Sequence, residues 1–437
     1  MAPLPQSSLD ALVAYVRTRS PYYRSLYAHL PNPIKSFEDL PLVNGFKYWS
    51  SSNSEPNGVI TEPLMDAVIM RSGGSTSEPK TVLMTRKEFL ETSEIHGQLF
   101  AKSCGIVPGD RVANLSSQGG MYSGFMTYGY TVMNCPIPVV NMPISGKESP
   151  EQIEKDLSRF DATVVISNVF IATKLANYLR SKGKSLSCVR SILYTGEPFY
   201  KDLRCLFRSA FPSATIRPLA YASVECKIVA FPEFETNQND PDADVDPLYK
   251  VCSSTVLLEI IADDGSVIRQ PGARGTIVVT NLLKKLQPTI RYPIGDLGEW
   301  VNYEEGLFRL RGRSNVGLKV GTALLDKELI RRLIVNVIGD KIGDGFQTVI
   351  RRRGTQNVVI FRIAAAKPAN SCELAERVTE EIIKANPSWA KNRDAGTIAP
   401  IELEWTSFHD LVFLEASGKL RDVVDERFDE VRGKDNV

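Results

Sequence analysis

Three histidines and seven cysteines among 437 residues leave few ways to build several common catalytic centres. The cysteines stand at 104, 135, 188, 205, 226, 252 and 372, an odd number with no CxxC pair. That scatter argues against a disulfide framework and points to a reduced, intracellular chain. The histidines, at 29, 96 and 409, leave little room for a hydrolase triad. No apolar run reaches the ~18 residues of a membrane helix. The opening MAPLPQSSLDALVAYVR has no basic stretch followed by a long apolar core, so no secretory leader is expected. The closing KDNV carries no address signal, and a cytoplasmic location is expected. Charge of one sign is also missing: 52 Lys and Arg balance 51 Asp and Glu, for a net +1. Nothing there favours nucleic acid or a membrane surface as a partner. The short cluster Arg351-Arg352-Arg353 reads as a solvated turn.

What is present is an ordinary globular mixture, 43% hydrophobic and 24% charged, in a chain too long for one core. Residues 9–29 predict an amphipathic helix broken at Ser20-Pro21, and residues 45–65, rich in Ser, Asn, Pro and Gly, predict a loop. Strands are predicted over 67–70, 81–84, 162–167 and 189–194, and helices over 86–102, 151–160 and 170–182. This alternation implies an α/β domain with a parallel sheet. Further on, 256–261 and 275–280 read as strands joined by the turn Asp263-Asp264-Gly265-Ser266, hence antiparallel structure. Beyond Arg313 the predicted order is helix 326–338, strands 346–351 and 356–364, helix 372–385 and strand 400–405. The expected organisation is a large N-terminal α/β domain with parallel and antiparallel sheets, 1–312, and a small, mobile α+β lid, 313–437.

Between two predicted strands lies Ser72-Gly73-Gly74-Ser75-Thr76-Ser77, followed by Glu78-Pro79-Lys80. Paired glycines let backbone N–H groups approach phosphate oxygens, hydroxyls can donate to them, and Lys80 adds charge. The loop is not the GxxxxGK[ST] type, and taken alone it reads better as a flexible Ser/Gly loop with no ligand. Five further stretches follow in order: Thr195-Gly196-Glu197-Pro198; Tyr221-Ala222-Ser223-Val224-Glu225; Arg291-Tyr292-Pro293-Ile294-Gly295-Asp296-Leu297; Gly312-Arg313-Ser314; and Ser417-Gly418-Lys419-Leu420-Arg421.

With these six stretches in this order, most of the chain resembles the adenylate-forming superfamily, and within it the phenylacetate–CoA ligase-like branch. The resemblance implies activation of a carboxylic acid by ATP to an acyl-adenylate, then transfer to a nucleophile, foremost the thiol of CoA. It implies that residues 72–77 and Lys80 hold the triphosphate, with Gly196, Glu197, Pro198, Ala220, Tyr221, Ala222 and Ser223 around the nucleotide. Glu225 would place Mg²⁺, a hard cation that takes carboxylate oxygen. Asp296 would accept from the ribose hydroxyl pair, and Arg313 would contact the nucleotide beside the lid's hinge. Lys419 would stabilise the adenylation transition state with a compact ammonium. Tyr122, Ser123 and Phe125, with Gly196 and Ala222, would line the acid pocket and suit an aryl or compact acid, although Tyr122 and Phe125 read equally as core. Gly321 falls beside the thiol acceptor's path. A homodimer is a further arrangement the branch implies.

The chain also departs from that pattern. Val224 replaces a usual Thr, losing a hydroxyl toward phosphate, and Glu78 brings negative charge to the loop. Ser77, Pro293-Ile294 and the non-acidic Ser314-Asn315-Val316-Gly317 are further differences. Some members hold zinc through Cys and His after the Tyr-to-Glu motif; here Cys226 and Cys252 have no His between them and read as buried thiols. Two other outcomes therefore stay open: acyl transfer to an amine or a carrier-protein thiol, and a nucleotide-binding protein without catalysis.

Overall fold

In the segments 164–168 and 191–195 nearly every residue is buried, because both faces of the strands they form are covered. Val164, Ile166 and Leu193 point into one core cluster, whereas Val165, Ile192 and Tyr194 point into another. The computed structural model describes residues 6–71, 80–196, 199, 203–233, 246–313, 318–325, 327–338, 346–407, 410–412 and 423–427. It divides into two compact units, parting between 314 and 315.

The first unit holds a five-stranded parallel sheet in the order Val140–Met142, Arg111–Asn114, Val164–Asn168, Ser191–Thr195, Thr215–Pro218. Helices Pro150–Arg159, Val169–Ser181 and Arg204–Ala210 cover one face through Ile153, Leu157, Leu175, Leu179 and Phe207. The other face packs toward an eight-stranded antiparallel sheet. Its order is Val267–Ile268, Val256–Ile261, Arg274–Asn281, Tyr292–Asn302, Leu307–Arg313, Leu248–Val251, Lys227–Pro232, Tyr221–Ser223. The turn at 263–266 thus leads into the short strand 267–268, not directly into 274–281, although 256–261 and 274–281 do pair antiparallel.

The expected loop over 45–65 is corrected in its first half, which is the helix Gly45–Ser52. Asn44 caps it by accepting from the Lys47 N–H at 3.0 Å, and Tyr48 is fully buried edge-on to Tyr292. Lys47 and Ser50 of that stretch are exposed, and such polar letters conceal the core residue. A second cap has a wider role. Thr85 and Glu88 form a capping box on the helix Arg86–Ser103, and Glu88 Oε1 also accepts from the N–H groups of Lys285 and Leu286. The 284–287 segment is thereby tied to that helix, a connection used below.

The second unit has a four-stranded sheet ordered Glu402–Thr406, Gln356–Ala364, Phe346–Arg353, Val423–Asp425. Helices Lys327–Ile338 and Ser371–Ala385 pack on it through Ile330, Ile334, Val378 and Ile382. The arginine cluster 351–353 lies on a strand end and not on a turn, with Arg351 paired to Glu426 and Arg353 to Glu402. Gly321, at φ 58°, lies in this unit, where Asn392 Oδ1 leaves no room for a Cβ. No helix among the described residues is long and apolar enough to cross a membrane.

Candidate functional site

The Tyr221-to-Glu225 stretch begins as the edge strand Tyr221–Ser223 and leaves it in a tight turn. Ser223 Oγ accepts from the Cys226 N–H at 3.0 Å and closes that turn. At its far end Glu225, 8% exposed, meets Lys80 with Nζ to Oε1 at 2.6 Å. The same ammonium lies 5.5 Å over the Trp49 ring, while Trp49 Nε1 donates to Tyr292 OH at 2.9 Å. Burial pushes the Glu225 carboxyl up, but the charge and hydrogen bond of Lys80 outweigh it and hold the group below the usual carboxylate range. Lys80 shifts upward, the attraction of Glu225 overcoming its own burial. Glu225 is therefore an anion in the folded chain.

A second, fully buried lysine supports the turn. Lys284 Nζ donates to the Glu225 backbone oxygen at 3.1 Å, and burial pushes its pKa down to about 8. Its position follows from the Glu88 contacts to residues 285 and 286 and from Asn281 Oδ1, which accepts from the Lys284 N–H at 2.9 Å. Nothing in local sequence marks Lys284 as part of this site; its place depends in part on the cap of a helix almost two hundred residues earlier.

At the near end of the stretch, Tyr221 OH donates to Asp296 Oδ2 at 2.8 Å, and the Tyr221 ring rests on Tyr249 and Phe308. Asp296 is half-buried within the strand Tyr292–Asn302, directly across from the backbone of Arg313. The strand is bulged here, with Gly295 at φ 92°. The motif's first residue, Arg291, has a structural task. It is 4% exposed at φ 48°, pairs both ways with Glu259 at 3.0 Å, and donates to the backbone oxygens of Glu38 and Leu40.

Tyr122 is exposed and Phe125 half-buried; neither joins a core cluster among the described residues. Ser123 opens the helix Ser123–Met133, and Tyr128 on it bonds Thr195 Oγ1 at 2.9 Å. This tie brings the helix to Gly196, whose φ of 84° turns the chain at the end of its strand. Ala220 is buried and Ala222 half-buried beside the Tyr221 strand. Cys226 and Cys252 are buried free thiols, each pushed up to about 12 by burial. Residues 72–77, Glu197, Pro198 and Lys419 lie outside the described residues, as does the side chain of Arg313.

The donor set suits magnesium on one point of chemistry. Mg²⁺ is commonly bound by one or two carboxylates together with substrate phosphates, and the ionised Glu225 is such a carboxylate. Among the described residues no cluster of three or more His, Cys, Asp or Glu could hold a metal unaided.

No family model matches the chain. It is 24% identical over 405 residues to the phenylacetate-coenzyme A ligase of Thermus thermophilus, covering 88% of this chain and 85% of that one. Its fold is similar to 2-hydroxyisobutyryl-CoA ligase solved with 2-HIB-AMP and CoA in the thioesterification state. The TM-score is 0.68 at 16% identity, over 98% of this chain and 92% of that one. Against the same ligase in its postadenylation state with R3-HIB-AMP, the TM-score is 0.61, over 98% and 90%. In sequence the chain is thus similar to a phenylacetate-coenzyme A ligase, and in fold to a CoA ligase solved with an acyl-adenylate.

Proposed function

We propose that the protein activates a carboxylic acid with ATP to an acyl-adenylate and passes the acyl group to the thiol of CoA. The observation that carries this reading is the convergence of three stretches far apart in sequence. Lys80 ends the glycine- and hydroxyl-rich stretch, Glu225 ends the second, and Asp296 lies in the third. The Lys80–Glu225 pair and the Tyr221–Asp296 bond join them. The phenylacetate-coenzyme A ligase relative supports the same reaction class.

In the first step a carboxylate oxygen attacks the α-phosphorus of ATP and the bond to pyrophosphate breaks. Asp296, oriented by the Tyr221 hydroxyl, accepts from the ribose hydroxyls. Residues 72–77 and Lys80 neutralise the triphosphate, and Arg313 contacts the nucleotide. Glu225 would hold Mg²⁺, which would offset charge on the departing phosphates. Lys419 would supply a compact ammonium that offsets charge developing in the transition state. In the second step the thiol sulfur attacks the acyl carbon and AMP leaves with the bonding pair.

ATP–pyrophosphate exchange over a panel of acids tests the first step, and formation of acyl-CoA tests the second. Exchange with at least one acid, and product dependent on CoA, are expected. Exchange without any effect of CoA, with product formed from an amine, would replace CoA by an amine acceptor. Nucleotide binding without exchange on any acid would remove the catalytic reading.

A further inference from the structure

Ser116 is 7% exposed, and its Oγ has no hydrogen-bond partner among the described residues. A hydroxyl left unpaired in a buried site is costly, so its surroundings matter. It lies at the first turn of the helix Ser123–Met133, 3.8 Å from where a Cβ on Gly124 would stand. That helix is preceded by Tyr122 and has no side-chain cap, so its leading N–H groups retain their capacity to donate. The partial positive charge of a helix start favours a hydrogen-bond acceptor or an anion there.

The arrangement is built, not incidental. Asn114, fully buried, accepts from the Ser116 N–H with Oδ1 and donates to the Phe125 oxygen with Nδ2, both at 3.0 Å. One side chain thus fixes the serine and the helix start together. The neighbouring loop is laced to the same strand end, with Gly146 N donating to the Ser116 oxygen at 3.3 Å. It sets Lys147 Nζ 3.4 Å from the Cβ position of Gly119, adding a cation at the rim. Gly124 carries no side chain to stand between Ser116 and Tyr128 Cε2, the latter 3.6 Å from the Cβ position.

We propose that this is a specificity subsite for the far end of the acid: Ser116, the helix start and Lys147 receive a hydrogen-bond-accepting substituent, a hydroxyl or a second carboxylate. The substrate class is then a hydroxy acid or a dicarboxylic acid, not a purely apolar one. The inference rests on the acid-activation reading above, which puts the acid's tail beside Tyr122–Phe125 and Gly196. A serine hydroxyl can both donate and accept, and so serves either substituent. The helix start and Lys147 add weight to the carboxylate.

Matched acids test it: benzoate, 4-hydroxybenzoate and terephthalate, and hexanoate, 6-hydroxyhexanoate and adipate. The readout is kcat/KM in ATP–pyrophosphate exchange, taken as the ratio of each substituted acid to its parent in the same enzyme sample. In at least one series the substituted acid is expected to exceed its parent by about tenfold or more, because a site built to bind a polar group discriminates against its absence. Ser116→Ala should bring that ratio down about tenfold. Gly124→Ala, whose new methyl would make only ordinary contacts and cover the hydroxyl, should do the same. Partial unfolding of a variant cancels in the ratio. Exchange with the parents as fast as with every substituted acid, or ratios unchanged in both variants, would overturn the subsite and leave acid activation standing. Exchange with no acid at all would overturn acid activation, and the subsite with it.

Discussion

Lys80 and Glu225, separated by 145 residues, form an ion pair in which the carboxylate is almost fully enclosed while the ammonium keeps a path to solvent. A carboxylate so placed depends on its partner, and removing one member of an enclosed pair costs about 3–5 kcal/mol. Glu225→Gln is therefore expected to lower stability by a few kcal/mol and to lower pyrophosphate exchange by about a hundredfold. Lys80→Met should cost less on its own side, because that side chain is 38% exposed. The double variant is expected to be more stable than the sum of the single losses, yet as slow as Glu225→Gln. Denaturant unfolding of all four proteins supplies the cycle, and strict additivity would show that the pair carries no coupling.

The Tyr221–Asp296 bond separates positioning from packing. The Tyr221 ring rests on Tyr249 and Phe308, and a phenylalanine would keep those contacts. Tyr221→Phe should cost about 1 kcal/mol of stability, the net value of one hydrogen bond. Its larger effect should be a several-fold rise in KM for ATP with kcat little changed, since Asp296 loses the donor that orients it toward the ribose. A fall in kcat at unchanged KM would place the bond in the chemical step instead.

Lys419 stands in the last of the six stretches, Ser417-Gly418-Lys419-Leu420-Arg421. A compact ammonium that neutralises charge developing only in the transition state contributes to rate more than to ground-state binding. Lys419→Ala should abolish measurable exchange while nucleotide affinity, read by calorimetry, changes less than about tenfold. Unchanged exchange would remove Lys419 from the reaction.

The fold was most legible where burial is two-sided and local. The apolar triplets Val164-Val165-Ile166 and Ile192-Leu193-Tyr194 declare buried strands, because alternate residues enter different cores. The residues around Tyr221, Glu225 and Asp296 were legible as motifs, although their partners were not. Trp49 was hidden in a stretch whose polar letters suggested a loop, and Asn44 and Tyr48 turn that stretch into a helix. Lys284 was invisible because its place depends on Glu88 and on a backbone oxygen at 225. Pairings of this kind depend on the tertiary structure, and no local pattern encodes them. Ser116 was missed for the opposite reason: its significance lies in a partner it does not have among the described residues.

His96 should set the acid side of the stability profile. It is 1% exposed, edge-on to Phe231, and its Nε2 has no partner among the described residues. Burial, aided by the charge of Lys227, pushes its pKa down to about 3. The folded chain thus stays unprotonated there while the unfolded chain takes up a proton below about pH 6.5. More protons on the unfolded state means that stability falls as pH falls, beginning near 6.5 and continuing toward 3. One such group removes roughly 2 kcal/mol between about pH 7 and about pH 5. His96→Phe, which retains an aromatic ring beside Phe231, should flatten that part of the profile. Equal slopes for wild type and variant over that range, measured by urea unfolding, would assign the acid sensitivity to other groups.

Arg291 offers a control on the motif itself, because its position beside Asp296 in sequence invites a catalytic role that its contacts do not support. Its guanidinium is enclosed against Glu259, with exposures of 5% and 8%, and also holds the chain at Glu38 and Leu40. Arg291→Met keeps the length but leaves Glu259 buried without its partner and two backbone oxygens without a donor. The expected loss is about 3–5 kcal/mol. Adding Glu259→Gln should recover part of it, since a neutral amide is far less costly to enclose than a lone carboxylate. If Arg291 is structural only, whatever folded fraction survives in the double variant should exchange pyrophosphate at close to the wild-type rate per folded molecule. A deep loss of exchange in protein shown to be folded by its unfolding transition would instead give Arg291 a direct part in binding the nucleotide.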